Sequence, residues 1–302
     1  MGTVFFAKFV LTMTDKHHLR IEIFNSTLAV LRQGWYLAPD KHRVLLPAVQ
    51  EVMDAATMYS EPFKVPGAGP APVATEVRVE DKDCVLAAIE LIDAGYNPAM
   101  LNLADLHVPG GLVEYGSGAQ EENLCRRSNL ILSLYQFSRS RVRQYPDLGL
   151  VNRGDQYPMD ERFGGVYSGI VTFFRGPENT GSQLEEKTYN IPVISVAALS
   201  GPRIGMDGMM YPEEAGITLD KMRTIFRIGL AHGHDSLVLS AMGCGAFRNP
   251  PAHIAKLFHQ VIVEDEFKGR YRLIDFAILD GYKTGLRHNP EGNLLPFQRE
   301  FS

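Results

Sequence analysis

The chain has 302 residues, 45% hydrophobic and 22% charged, with a formal net charge of -5. That balance excludes a disordered polymer and gives no general attraction to nucleic acid, so a polyanionic partner has to be held by local donors in a pocket. Three cysteines, Cys84, Cys125 and Cys244, are too few and too scattered for a disulfide framework or a Cys-x-x-Cys zinc site. A reducing, intracellular setting, cytoplasmic or nuclear, is expected; no cofactor is expected either, and no metal, since His232 and His234 have no third ligand at a sensible spacing. The apolar stretch from Val4 to Met13 is short, carries Lys8 and lacks a small-x-small cleavage site, so it is not read as a signal peptide. No run approaches the ~20 apolar residues of a membrane span.

In chain order, Ile21, Phe24, Leu28 and Leu31 recur at helical spacing up to Gly34, and Val49, Val52, Met53 and Ala56 follow Pro47 as a second short helix. Residues 66 to 72, Pro-Gly-Ala-Gly-Pro-Ala-Pro, read as a linker. The spacing thus predicts a helical extension over 1–72 and a main domain over 73–302. Thr75 to Val79 alternates as a half-buried strand, Asp81 or Asp83 can cap a helix from Val85 to Ala94, and Met100 to Leu103 follows as a strand. Further strands are expected at Val166 to Phe174, Ile191 to Ala198, Leu237 to Ser240 and Leu273 to Leu279. Helices are expected from Thr218 to Ala231 and after Pro250 and Pro251. The stretches 176–187 and 201–216 read as loops. Alternating strands and helices predict a mixed-sheet α/β/α sandwich.

Two loops at strand ends concentrate the chemistry. After the strand ending at Asn102, residues 105–119 contain Gly110, Gly111, Gly116 and Gly118, then Gln120, Glu121 and Glu122 open a helical pattern. Glycines leave few side chains between backbone and ligand, which suits a phosphate, and acids in a first turn are held by free N–H groups. The second loop, Gly243-Cys244-Gly245-Ala246-Phe247, lies between the strand ending at Ser240 and a helix starting near Pro251, so successive N–H groups can face a diphosphate. Asn102 and Asp105 can bond ribose hydroxyls or cap their own turn. Arg126, Arg127, Arg139, Arg141 and Arg143 read as a solvated basic face, the alternative being a track for the next units of a polyanionic chain, and His232 and His234 read as a helix end and turn.

The two loops resemble the signature of bacterial-type poly(ADP-ribose) glycohydrolases, a branch of the macrodomain superfamily: a Gly-Gly-Gly run, a spacer and Gln-Glu-Glu, then a downstream Gly-Cys-Gly-aromatic loop. Here Leu112 stands where the third glycine of the run would be. The resemblance implies a macrodomain-like fold and hydrolysis of the ribose–ribose bonds of poly(ADP-ribose) to ADP-ribose, without a metal, by a monomer acting on the polymer or on ADP-ribosylated proteins. It also implies that Glu122 is the general acid/base and Glu121 positions the ribose. Substrate contacts would come from Asn102, Asp105, Gly110, Gly111, Gln120 and residues 243–247, with Phe247 packing on the ribose and the substrate's own diphosphate steadying the transition state. A hydrolase of single ADP-ribose groups and a non-catalytic ADP-ribose reader are the alternatives. Leu112 is expected to turn away from the pocket and pack beneath the loop.

Overall fold

The computed structural model describes residues 13–65, 74–280 and 285–302. The linker at 66–72 and the apolar stretch before Met13 lie outside the described residues. In chain order the elements are α1 (Met13–Gln33), β1 (Trp35–Leu37), β2 (Arg43–Leu45), α2 (Val49–Asp54), β3 (Ala56–Tyr59), β4 (Glu76–Glu80), α3 (Cys84–Asp93) and β5 (Pro98–Ala104). Then come α4 (Gln120–Arg127), α5 (Leu130–Tyr135), α6 (Arg139–Gln144), β6 (Gly165–Ser168), β7 (Thr172–Arg175), β8 (Leu184–Asn190) and β9 (Val193–Ala197). The chain closes with α7 (Pro212–Ala231), β10 (Ser236–Leu239), α8 (Pro251–Val263), β11 (Leu273–Ala277) and α9 (Leu294–Glu300).

Seven strands form the central sheet in the order β3-β6-β9-β5-β10-β11-β4. From β9 to β4 all neighbours are parallel; β6 runs antiparallel to both β9 and β3. Apart from the edge strand β4, whose Glu76, Arg78 and Glu80 share one face, the parallel strands carry apolar residues on both faces, as a sheet covered on both sides must. On β5, Met100 and Ala104 join the core beneath α1 to α6, whereas Ala99 and Leu101 join the core beneath α7 to α9. This is the expected mixed-sheet α/β/α sandwich. The strand period of two sends Asn102 to the α4 side, opposite Ser195 of β9.

Four features differ from the sequence reading. Among the described residues, the stretch before residue 72 holds three strands besides its two helices, and β3 pairs with β6 as an edge of the main sheet. Residues 166–174 are two strands, β6 and β7, because the chain turns at Gly169, whose added Cβ would lie 3.1 Å from the Ala55 carbonyl oxygen. The polar stretch expected to be an exposed loop ends in β8, which pairs with β7 outside the main sheet. The 201–216 connection is shorter than expected, since Pro212 already starts α7. Among the described residues, no helix is long and apolar enough to cross a membrane.

Candidate active site

β5 and β10 are parallel neighbours, so both glycine loops leave the carboxyl edge of the sheet side by side, where open α/β sheets place ligands. β10 pairs with β5 only as far as Met100. Beyond that point Gln120 takes over the ladder: its Oε1 accepts the Leu103 N–H at 2.6 Å and its Nε2 donates to the Leu101 carbonyl at 2.9 Å. Gln120 therefore welds the start of α4 to the strand and holds Glu121 and Glu122 at the crevice.

Glu121 is 3% exposed and Glu122 is 6% exposed, an unusual burial for two adjacent acids. Glu121 accepts three bonds: from the Asp105 N–H at 2.8 Å, from the Gly110 N–H at 3.2 Å and from Asn102 Nδ2 at 3.3 Å. Burial nonetheless pushes its carboxyl up to about 8, against the pull of the Asp105 N–H and with a further push from Glu122. Glu122 accepts the Leu112 N–H at 3.0 Å through Oε1, while its Oε2 is buried with no partner.

The four loop glycines divide into two pairs. Gly110 and Gly111 have φ of 76° and 57°, left-handed values that disfavour a side chain. A Cβ on Gly111 would sit 2.5 Å from Glu122 Oε1 and 3.2 Å from Glu121 Oε2, so this glycine lets the backbone lie on the two carboxylates. Gly116 and Gly118 face α1 instead of a ligand: a Cβ would meet the His17 carbonyl oxygen and the Arg20 guanidinium, each at 2.4 Å. Leu112 does not pack beneath the loop as expected. It is 53% exposed, with φ of -101°, and contributes its N–H to Glu122.

Partners distant in sequence hold this loop. Arg126 donates to the Ser117 carbonyl at 2.7 Å, and Arg141 to the Gly111 carbonyl at 3.4 Å and to Glu114 at 2.6 Å. Arg20 on α1 pairs with Glu178, which also meets Arg126 at 3.5 Å, and Thr27 donates to the Arg126 carbonyl at 2.6 Å. Arg126, Arg127 and Arg141 are thus buried struts, which corrects the solvated-face reading; only Arg139 and Arg143 are exposed. Each fixed guanidinium satisfies a loop carbonyl or a carboxylate that burial would otherwise leave without a partner.

Asp105 bonds its own turn, accepting from the His107 and Val108 N–H groups at 2.8 Å. Asn102 donates to Ser195 Oγ at 3.0 Å as well as to Glu121, and its Oδ1 has no partner. Asp83 caps α3 and pairs with Arg127 at 2.8 Å; Asp81 is exposed.

In the second loop, Gly243 has φ of 73°, and a Cβ there would lie 2.4 Å from Asn249 Nδ2 and 2.7 Å from the Ala198 Cβ. Asn249, which the sequence reading passed over, donates to the Leu199 carbonyl at 2.7 Å and the Gly243 carbonyl at 3.1 Å. A Cβ on Gly245 would meet nothing within 4 Å, Ala246 is exposed and Phe247 is half-buried. Cys244 is fully buried, and burial pushes its thiol up, so it packs rather than attacks. His288 Nε2 at 2.7 Å and Asn289 Nδ2 at 3.3 Å both reach the Cys244 carbonyl. His232 caps the end of α7 and bonds Tyr59 at 2.9 Å, and His234 bonds Tyr167 at 3.0 Å. Among the described residues, no group of three or more metal-ligating side chains comes together.

Known proteins resemble this chain in sequence and fold. A family model described as "Microbial-type PARG, catalytic domain" matches residues 25–176. Among solved structures, the poly(ADP-ribose) glycohydrolase (PARG) of Thermomonospora curvata is 28% identical, with 94% of this chain and 100% of that chain covered and a TM-score of 0.73. The same organism's enzyme bound to the inhibitor ADP-HPD is 26% identical, with the same coverage and a TM-score of 0.72. The Deinococcus radiodurans enzyme in complex with ADP-ribose is 25% identical over 85% of this chain and 98% of that one, with a TM-score of 0.61. No curated protein matches the chain.

Proposed function

The chain belongs to the microbial-type PARG family, and from that premise we propose that it hydrolyses the ribose–ribose O-glycosidic bonds of poly(ADP-ribose), with Glu122 as general acid and base. One observation carries the assignment: Glu122 Oε1 is held by the Leu112 N–H, which leaves Oε2 buried, unpartnered and fixed in place. A general acid needs that combination of fixed position and free atom.

In the proposed reaction the Glu122 carboxyl gives its proton to the ribose oxygen that leaves, and the bond from that oxygen to the anomeric carbon breaks. The resulting carboxylate then takes a proton from water as the water oxygen bonds to the anomeric carbon. ADP-ribose is released, one water is consumed and Glu122 regains its proton. No second carboxylate on the far face of the sugar is invoked; the substrate's own diphosphate steadies the positive charge.

Glu121 anchors the loop through the Asp105 and Gly110 N–H groups. With its carboxyl pushed up to about 8, it is largely neutral at pH 7 and adds little repulsion beside an anionic ligand. The open face of Gly245 would receive the diphosphate, and the half-buried ring of Phe247 would lie against the ribose. The ADP-ribose complex of the Deinococcus radiodurans enzyme supports ADP-ribose as the ligand.

The test is incubation of the purified protein with poly(ADP-ribose) and, in parallel, with singly ADP-ribosylated protein, followed by chromatography of the products. Release of free ADP-ribose is the expected result. Polymer binding without release would contradict the proposal in favour of a reader, and release only from singly modified proteins would contradict it in favour of a mono-ADP-ribosyl hydrolase.

A further inference from the structure

Most arginines of this chain are committed: Arg126 and Arg141 hold the first loop, and Arg203 is paired with Glu213 and Glu214. Arg248 and Arg287 differ, as do Arg139 and Arg143 on α6 and Arg270 before β11, but only Arg248 and Arg287 lie at the second glycine loop and the turn seated on it. Both are exposed, and among the described residues neither has an ion-pair or side-chain hydrogen-bond partner. Arg248 sits in the second glycine loop directly after Phe247. Arg287 sits in the turn from Gly285 to Asn289, which is closed by the Gly285 N–H to Asn289 carbonyl bond at 3.1 Å. His288 and Asn289 seat that turn on the Cys244 carbonyl, so the two arginines lie on two loops clamped to each other.

The backbone at Arg248 adds a second observation. Its φ is 58°, a left-handed value that glycine adopts freely, and other left-handed positions in the two loops, Gly110, Gly111, Gly116 and Gly243, are glycines. An arginine held in that conformation is strained, and such strain collects where a side chain has work to do. The site also sits on a chain of net charge -5, so a phosphate outside the pocket depends on local cations for attraction.

Resting on the reading of the chain as a poly(ADP-ribose) glycohydrolase, we infer that Arg248 and Arg287 form a paired cationic grip for the diphosphate of the ADP-ribose unit next to the one in the pocket. The grip makes the enzyme prefer a polymer over an isolated ADP-ribosyl group. Two guanidiniums at the rim would recruit and align the anionic chain, with a strength that falls as salt screens them.

The experiment compares kcat/KM on long poly(ADP-ribose) with kcat/KM on an aryl O-glycoside of ADP-ribose, which has a scissile bond but no second unit. Wild type, the double variant Arg248→Gln with Arg287→Gln, and the double lysine variant are assayed at low and high salt. The ratio of polymer to aryl glycoside should fall at least fivefold in the glutamine variant, most at low salt, and the lysines should restore most of it. A ratio unchanged within twofold at low salt overturns the grip. Arg248→Gly, which relaxes the left-handed backbone, supplies a variant that keeps the fold if the glutamine pair does not, and should lower the same ratio. Wild type that releases nothing from either substrate would be a separate failure, that of the glycohydrolase reading itself.

Discussion

The Leu112 N–H and the Glu122 carboxylate are joined by a 3.0 Å hydrogen bond, and this contact ties the position that departs from the family's glycine run to the proposed catalytic acid. It is the backbone of residue 112 that serves Glu122, and its φ of -101° is open to any L-residue. Leu112→Gly should therefore shift the ADP-ribose dissociation constant by less than about threefold and lower stability by ~0.5–1 kcal/mol through added unfolded-state freedom. Calorimetry with ADP-ribose and a thermal melt check both. A tenfold gain in affinity would mean that the leucine side chain obstructs the pocket.

Gly111 should be far less tolerant. Alanine there would add a Cβ 2.5 Å from Glu122 Oε1 in a backbone with φ of 57°. Displacing a catalytic group by about 1 Å costs on the order of 10²-fold in rate. Turnover of Gly111→Ala should fall by that much while the protein stays folded. Near-wild-type turnover would show that Glu122 is not held where the chemistry needs it.

The Glu121 carboxyl sets a pH dependence of binding. Burial raises it from the ordinary 4.5 to about 8, so it is mostly neutral at pH 7 and ionises as the pH passes 8. A negative charge on Glu121 would then face the anionic ligand, and ADP-ribose affinity should drop several-fold between pH 7 and 9.5. In Glu121→Gln that drop should vanish. An identical alkaline loss in wild type and variant would assign the titration to another group.

Asp275 predicts a stability effect away from the site. It lies on β11, 2% exposed, with Oδ1 unpartnered, and burial pushes its carboxyl from 3.8 to about 6. Because the folded-state value is the raised one, the ionised form is penalised in the fold. The stability contribution is complete below the unfolded value near 3.8 and is lost as the pH rises through about 6. Asp275→Asn should thus stabilise the protein by up to ~3 kcal/mol at pH 7.5 and by little at pH 4. A lower Tm for the variant at pH 7.5 would contradict this.

Much of the frame was legible because its signals are local. The apolar run of β5, the glycines of both loops and the acids opening α4 sit within short windows, and the period of two placed Asn102 on one face. β3 escaped because its four residues, three half-buried and Thr57 exposed, directly follow a helical pattern and gain their partner only in β6, more than a hundred residues on. β8 was hidden by Glu185, Glu186 and Lys187, which face away from any core on a two-stranded ribbon. The supports of the site were not readable either. Arg20 reaching Glu178, Arg141 reaching Gly111 and Asn249 reaching Leu199 are contacts between segments far apart in the chain, and nothing near those residues marks them.

The most direct measurement is a side-by-side assay of wild type and Glu122→Gln on poly(ADP-ribose), with ADP-ribose binding measured by calorimetry on the same preparations. The amide keeps the shape and can still accept the Leu112 N–H, but it cannot give and take the proton. Turnover should fall at least ~10²-fold with affinity within about threefold of wild type. A variant that keeps more than about a tenth of the wild-type rate would contradict Glu122 as the general acid, because loss of that role removes ~10²-fold or more.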